Sequence, residues 1–230
     1  MRLWLGLALV GLVGCGERES RPAGEPVTEN KTGEMGQAEV LSAEIRMGAG
    51  ELKVEPGDRA KVEGAFRYTA GAPAPAFRFE SKTFQARLVL EQSGIQAGTT
   101  ENRWRVKLPV RVATDLEVSM GAGEAKLRLG ELDLRKVVMR LGAGKVEADF
   151  RGEPKRDYEI LVQGGVGECE VMLPKSAGLR AEAMGGLGEV NVEGLEKKGG
   201  YWESAGFDGA KVKVRLKVQG GIGRIGIRVQ

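Results

Sequence analysis

Across residues 39–230, apolar positions recur with a period of two, in runs interrupted by clusters of glycine. That period sends successive side chains to opposite faces and predicts half-buried β-strands. One unit repeats: apolar alternation, a Gly-x-Gly step followed by a polar residue, then apolar alternation again. Its copies occupy residues 45–54, 118–127, 139–148, 162–171, 183–192 and 218–227, with final glycines Gly50, Gly123, Gly144, Gly167, Gly188 and Gly223. From Gly123 the next markers follow at 21, 23 and 21 residues. A repeat near 20 residues with strand-like flanks predicts an all-β protein, a β-solenoid or related stack with 21–23 residues per rung. The 73 residues between Gly50 and Gly123 leave room for degenerate rungs, with strand-like stretches at 61–68, 77–79, 84–91 and 104–112. The 35 residues between Gly188 and Gly223 hold a rung plus an insertion near 195–210.

In the copy at Gly123, alternation assigns Val118, Met120, Ala122, Ala125, Leu127 and Leu129 to the inside. Glu117, Ser119, Glu124, Lys126 and Arg128 fall outside. Ala122 and Ala125 share a face only if the glycine step adds a bend or bulge, for which glycine's tolerance of positive φ is suited. The large residue also changes place between copies. Met47, Met120 and Leu141 precede the step where Ala49, Ala122 and Ala143 follow, whereas Gly164, Gly185 and Gly220 precede it where Val166, Leu187 and Ile222 follow. Such an exchange predicts that both positions face the core and that local volume is held constant. Trp104 and Phe84 are also expected in the core.

Upstream of the repeats, the pattern changes. Met1 and Arg2 precede a short apolar run that ends at Leu12-Val13-Gly14-Cys15. A charged start, a short apolar segment and small residues before a cleavage point describe a signal peptide. The segment falls short of the ~20 apolar residues that span a bilayer. Leu-Val-Gly-Cys resembles the lipobox of bacterial lipoproteins, which implies cleavage after residue 14 and palmitate-type lipidation of Cys15. The resulting expectation is an extracytoplasmic protein held at a membrane by lipid, with Gly16 favouring the outer membrane where one exists. Residues 16–38 are charged and rich in glycine and proline, which predicts a flexible tether over 15–38.

Composition narrows the chemistry. The chain has no histidine, which excludes Ser-His-Asp and Cys-His sites and most zinc sites. Of two cysteines, Cys169 alone remains once Cys15 is lipidated, and its place in the repeat assigns it to the inward face. Acids and bases are interspersed around a net charge of +3, so no nucleic-acid footprint is expected. Gly221-Ile-Gly223-Arg-Ile-Gly226 carries the letters of a dinucleotide fingerprint. Its strand-like flanks lack the following helix that the fingerprint needs, and no cofactor is expected. Glu168, Glu170, Glu189 and Glu193 stack on adjacent rungs in columns shared with Lys145, Glu124 and Arg224. They read as a mixed-charge ladder, with a divalent-cation site as the alternative. In the insertion, Tyr201, Trp202 and Phe207 form either a candidate partner contact or a cover for the end of the stack.

Asn102-x-Trp104-x-Val-x-Leu-Pro109, the Met-Gly-Ala-Gly123 and Leu-Gly-Ala-Gly144 steps, Leu173-Pro174 and the closing Gly-Gly-Leu-Gly188 and Gly-Gly-Ile-Gly223 together resemble the toast-rack β-domains. These include candidate bacterial adhesins and the C-terminal part of regulators of the cell-wall antibiotic response. The resemblance extends over residues 40–230 and implies an extracytoplasmic all-β domain of toast-rack-like stacking, usually without assigned activity. The expectation is a non-enzymatic binding or scaffold module of the bacterial envelope, with a role in envelope stress sensing. It would engage the membrane through its lipid and either an envelope protein or further copies of itself. A self-associating adhesin and a carboxylate-based cell-wall glycosidase are the alternatives.

Overall fold

The computed structural model describes residues 25–92 and 101–230; the signal segment and Cys15 lie outside them. The described residues form one 15-stranded sheet, wound so that a single hydrophobic core runs through it. Four long strands make the middle of the stack: β2 (Val40–Gly57), β7 (Ala113–Arg128), β8 (Asp133–Asp149) and β9 (Tyr158–Leu173). Each passes through its glycine step and pairs in parallel with the next, so that Gly50 lies opposite Gly123, Gly123 opposite Gly144, and Gly144 opposite Gly167.

Three further rungs are each split into two strands. They are β5 (Gln85–Glu91) with β6 (Asn102–Pro109), β10 (Gly178–Met184) with β11 (Leu187–Glu193), and β14 (Lys213–Gln219) with β15 (Ile222–Val229). The spatial order of rungs is β5/β6, β2, β7, β8, β9, β14/β15, β10/β11. Chain order and spatial order therefore part company at both ends. The first rung inserts between the second and third, and the last inserts between β9 and the rung that precedes it in sequence. A simple solenoid, in which each rung lies on its predecessor, is the wrong picture there.

Residues 60–110 also depart from expectation. β3 (Lys61–Thr69) runs antiparallel on β6, and β4 (Ala76–Lys82) runs antiparallel on β5. The interval between Gly50 and Gly123 thus contains one split rung and two capping strands. Trp104 is buried in an edge-to-face contact with Phe66 at 5.5 Å. Phe84, expected inside, is 67% exposed in the turn between β4 and β5.

Within the stretch expected as a tether, residues 26–34 form a strand instead. β1 (Pro26–Glu34) pairs residue for residue with β3, from Pro26 opposite Thr69 to Glu34 opposite Lys61. Tyr68 donates a hydrogen bond to the Glu29 carboxylate at 2.7 Å, and Met35 is buried immediately after the strand. Backbone pairing orders this segment. As an edge strand with mostly exposed side chains, it needs little of the apolar content whose scarcity led to the expectation of disorder.

The marker glycines explain the corner. Gly50, Gly123, Gly144, Gly167, Gly188 and Gly223 have φ between 118° and 151°, a region that side chains bearing a Cβ rarely enter. A Cβ on any of the five beyond Gly50 would overlap the carbonyl oxygen of the marker glycine on the adjacent rung. At the capped end Asn102 stands over Gly50. Its side-chain amide donates to the carbonyl of Ala49 at 2.6 Å and accepts the Trp104 indole N–H at 2.9 Å.

Candidate interaction surface

The corner changes character along the stack. In β2 and β7 the residue before the step, Met47 or Met120, is buried, and Leu141 of β8 is half-buried. The following residue does not face the core as alternation predicts: Ala122 and Ala143 are exposed and Ala49 is half-buried. The glycine step takes five residues to return the chain to the inside, from Met47 to Leu52, so the residue between the two glycines lies on the outer side of the bend. Val166, Ile222 and Leu187 occupy that outer position in the last three rungs, and they are 55%, 53% and 73% exposed. The exchange of large and small residues does not conserve core volume. It moves apolar bulk from the inside of the corner to the outside.

Two consequences follow at the same end of the molecule. Val166, Ile222 and Leu187 sit in register on neighbouring rungs and form an exposed apolar ridge beside Met184. Beside it, a Cβ on Gly164 would meet nothing within 4 Å, whereas one on Gly185 would press on Val190 and one on Gly220 would overlap Ile225. The result is a shallow cleft with about 50 Å³ of enclosed space, lined by glycines, by the three ridge residues themselves and by Leu141, Val162, Val218 and Ile225. A contiguous apolar surface of this kind is what proteins present to a partner or ligand.

The charged faces beside the ridge are already engaged. Arg224 lies between Glu168 and Glu189, at 3.4 and 3.7 Å, and Arg228 lies between Glu170 and Glu193, at 3.2 and 3.6 Å. A guanidinium therefore stands where the alternative cation site would require an ion. Among the described residues no cluster of acids and cysteine is placed to hold a metal. Cys169 packs against the core, and burial, followed by the Glu170 charge, pushes its thiol up to about 12. It is not a reactive group near neutral pH.

The insertion closes half of the last rung. β12 (Glu196–Lys198) and β13 (Tyr201–Glu203) form a hairpin whose second strand pairs antiparallel with Arg180 and Ala181 of β10. Glu203 is buried, receives hydrogen bonds from Arg180 and Lys198 at 2.8 Å each, and is held by both below the usual carboxylate range. The Arg180 guanidinium stacks over Phe207 and Tyr201, 4.3 and 5.0 Å from the ring centres. Phe207 is only 4% exposed, which removes it from the candidate contact surface; Tyr201 and Trp202 remain half-exposed. These rings anchor a cap, and the larger exposed apolar surface is the ridge. The sequence did not reveal it, because alternation places Val166, Leu187 and Ile222 on the inward face.

The parallel stack and the glycine corner define a class, an all-β repeat module. Residues 22–172 match the N-terminal domain of toast_rack, DUF2154, and the chain belongs to the toast-rack family. A candidate cell adhesion protein from Clostridium sporogenes ATCC 15579 is 27% identical and superposes with a TM-score of 0.83, covering 90% of this chain and all of that one. A candidate adhesin from Bacteroides fragilis NCTC 9343 aligns over 90% of this chain and 98% of its own, at 10% identity and a TM-score of 0.32. No protein of curated function matches the chain.

Proposed function

We propose that the protein is a non-catalytic, extracytoplasmic binding module, tethered to a bacterial membrane by lipid on Cys15, that presents its C-terminal rungs to another envelope component. The exposed ridge of Val166, Ile222 and Leu187 carries this reading, because a large apolar row in water is costly unless something covers it. The cell-adhesion name of the Clostridium sporogenes relative supports a surface role. It also favours a second form of the same reading, in which the covered surface lies on another copy or another cell. Envelope stress sensing is one use of such a module. The surface carboxylates named above are shared with arginine or lysine across rungs, which leaves little for a glycosidase to use.

Replacing Val166, Ile222 and Leu187 together by serine should abolish stoichiometric co-purification of a crosslinked partner while leaving the melting temperature nearly unchanged. Unaltered partner recovery would remove the ridge from the function. Hydrolysis of peptidoglycan fragments by the purified protein would overturn the non-enzymatic assignment. Incorporation of labelled fatty acid should be lost in Cys15→Ala, and its persistence would overturn the anchor.

A further inference from the structure

The two ends of the stack are finished differently. At the N-terminal end both halves of the outer rung are covered, β5 by β4 and β6 by β3, and β1 then covers β3. At the C-terminal end, β13 covers part of β10, while β11 pairs with β15 alone among the described residues. The outer backbone edge of β11 is therefore open. The core beneath it is unfinished as well, since Val190 and Val192 occupy the inward column but are only half-buried.

Charge says what would complete it. The last three rungs alternate in sign by layer. β9 carries Glu159, Glu168 and Glu170 and no base; β14/β15 carries Lys213, Arg215, Lys217, Arg224 and Arg228 and no acid. In the outermost rung, β10 contributes Arg180 and Glu182, and β11 contributes Glu189 and Glu193. Where that rung is covered, the complement is present: Arg180 meets Glu203 of the capping strand. Where it is uncovered, Glu189 and Glu193 have arginines on the inner side only, and their side chains are 78% and 57% exposed. The missing layer is basic.

Building on the binding-module reading, we propose that the open edge of β11 accepts an extended strand from another protein, one that alternates apolar with basic residues. Strand addition to an open edge supplies main-chain hydrogen bonds, and alternate side chains supply specificity. The apolar residues of the incoming strand would cover Val190 and Val192 and extend the ridge at Leu187. Its basic residues would stand over Glu189 and Glu193. A second β11 brought to the same edge would oppose acid to acid, which disfavours a symmetric dimer there.

The protein itself supplies a probe. β15 reads Ile-Gly-Arg-Ile-Gly-Ile-Arg-Val and already pairs with β11 from the inner side. A synthetic peptide of residues 220–230, labelled for fluorescence anisotropy, is titrated with the full chain in detergent. Saturable binding should weaken at least tenfold in the Glu189→Lys, Glu193→Lys variant. That variant should bind a peptide carrying Arg224→Glu and Arg228→Glu at least as well as the wild type binds the basic one. Exposed ion pairs add little to folding, so the variant should stay folded, as its thermal melt will show. Hydrogen exchange should slow along β11 while β15 keeps its protection. Equal binding of the basic peptide to the wild type and the variant, no binding, or loss of protection in β15 would overturn the assignment. So would self-association of the protein at this edge that the same charge reversal removes. A Val166→Ser, Ile222→Ser pair reads the binding-module reading separately, because it leaves β11, with Leu187 and both glutamates, unchanged.

Discussion

Replacing Gly144 with alanine tests the corner at the centre of the stack. Gly144 has φ of 131°, and a Cβ there would stand 2.9 Å from the carbonyl carbon of Gly123 and overlap its oxygen. An L-residue held in this region costs roughly 1–3 kcal/mol. The overlap adds to that, because β7 and β8 must separate by about 1.4 Å to reach an ordinary C···O contact near 3.3 Å. Separation weakens one or two ladder hydrogen bonds, at about 1 kcal/mol each. The sum is about 2–5 kcal/mol. With a urea slope near 2 kcal/mol/M, that lowers the unfolding midpoint by about 1–2.5 M. Gly164→Ala is the matched control on the neighbouring rung. Its Cβ meets no atom within 4 Å, and relief of glycine's chain entropy should stabilise by roughly 0.5–1 kcal/mol. Urea unfolding followed by circular dichroism reads both. If the two variants unfold at the same midpoint, positive φ and carbonyl contact are not what reserve the marker positions for glycine.

Other outcomes follow from single side chains. Asn102→Ala removes the group that caps the glycine column and strands the Trp104 N–H and the Ala49 carbonyl, which should cost about 2–4 kcal/mol in the same urea assay. Cys169, its thiol raised to about 12 by burial, should resist iodoacetamide at pH 8 in the folded protein and label rapidly in urea, as mass spectrometry would show. Glu203 is depressed below its ordinary 4.5 by Lys198 and Arg180. Its contribution to stability is therefore fully present above pH 4.5 and is lost as pH falls through the depressed value. Melting temperatures of wild type and Glu203→Gln should differ at pH 7 and converge in acid; a constant gap would refute the pairing.

The rungs were legible because one local rule repeats: alternation on both sides of Gly-x-Gly predicts strands, and the spacing predicts their stacking. Their order at the two ends was not legible. Residues 183–192 and 218–227 obey the same rule, so nothing local tells the chain that β15 lies inside β11. Their different positions appear only once the strands are paired. Ala122 and Phe84 were misplaced for a related reason. Alternation assigns faces correctly within a straight strand, but the corner and the β4–β5 turn reset the count. In residues 26–34 pairing outweighed composition, since an edge strand can be held through its backbone while its side chains stay polar. The surface was the least legible part. Val166, Ile222 and Leu187 look like core residues by type, and only their position outside the bend makes them a ridge.

On the proposed function, the uncapped end of the stack is the working end. A photo-crosslinking amino acid placed at Leu187 or at Phe84, which are 73% and 67% exposed at opposite ends of the stack, tests this in intact cells. The expected result is one stoichiometric adduct with another envelope protein from position 187, lost in the Glu189→Lys, Glu193→Lys background, and none from position 84. Equal adducts from both positions, or none from 187, would contradict it.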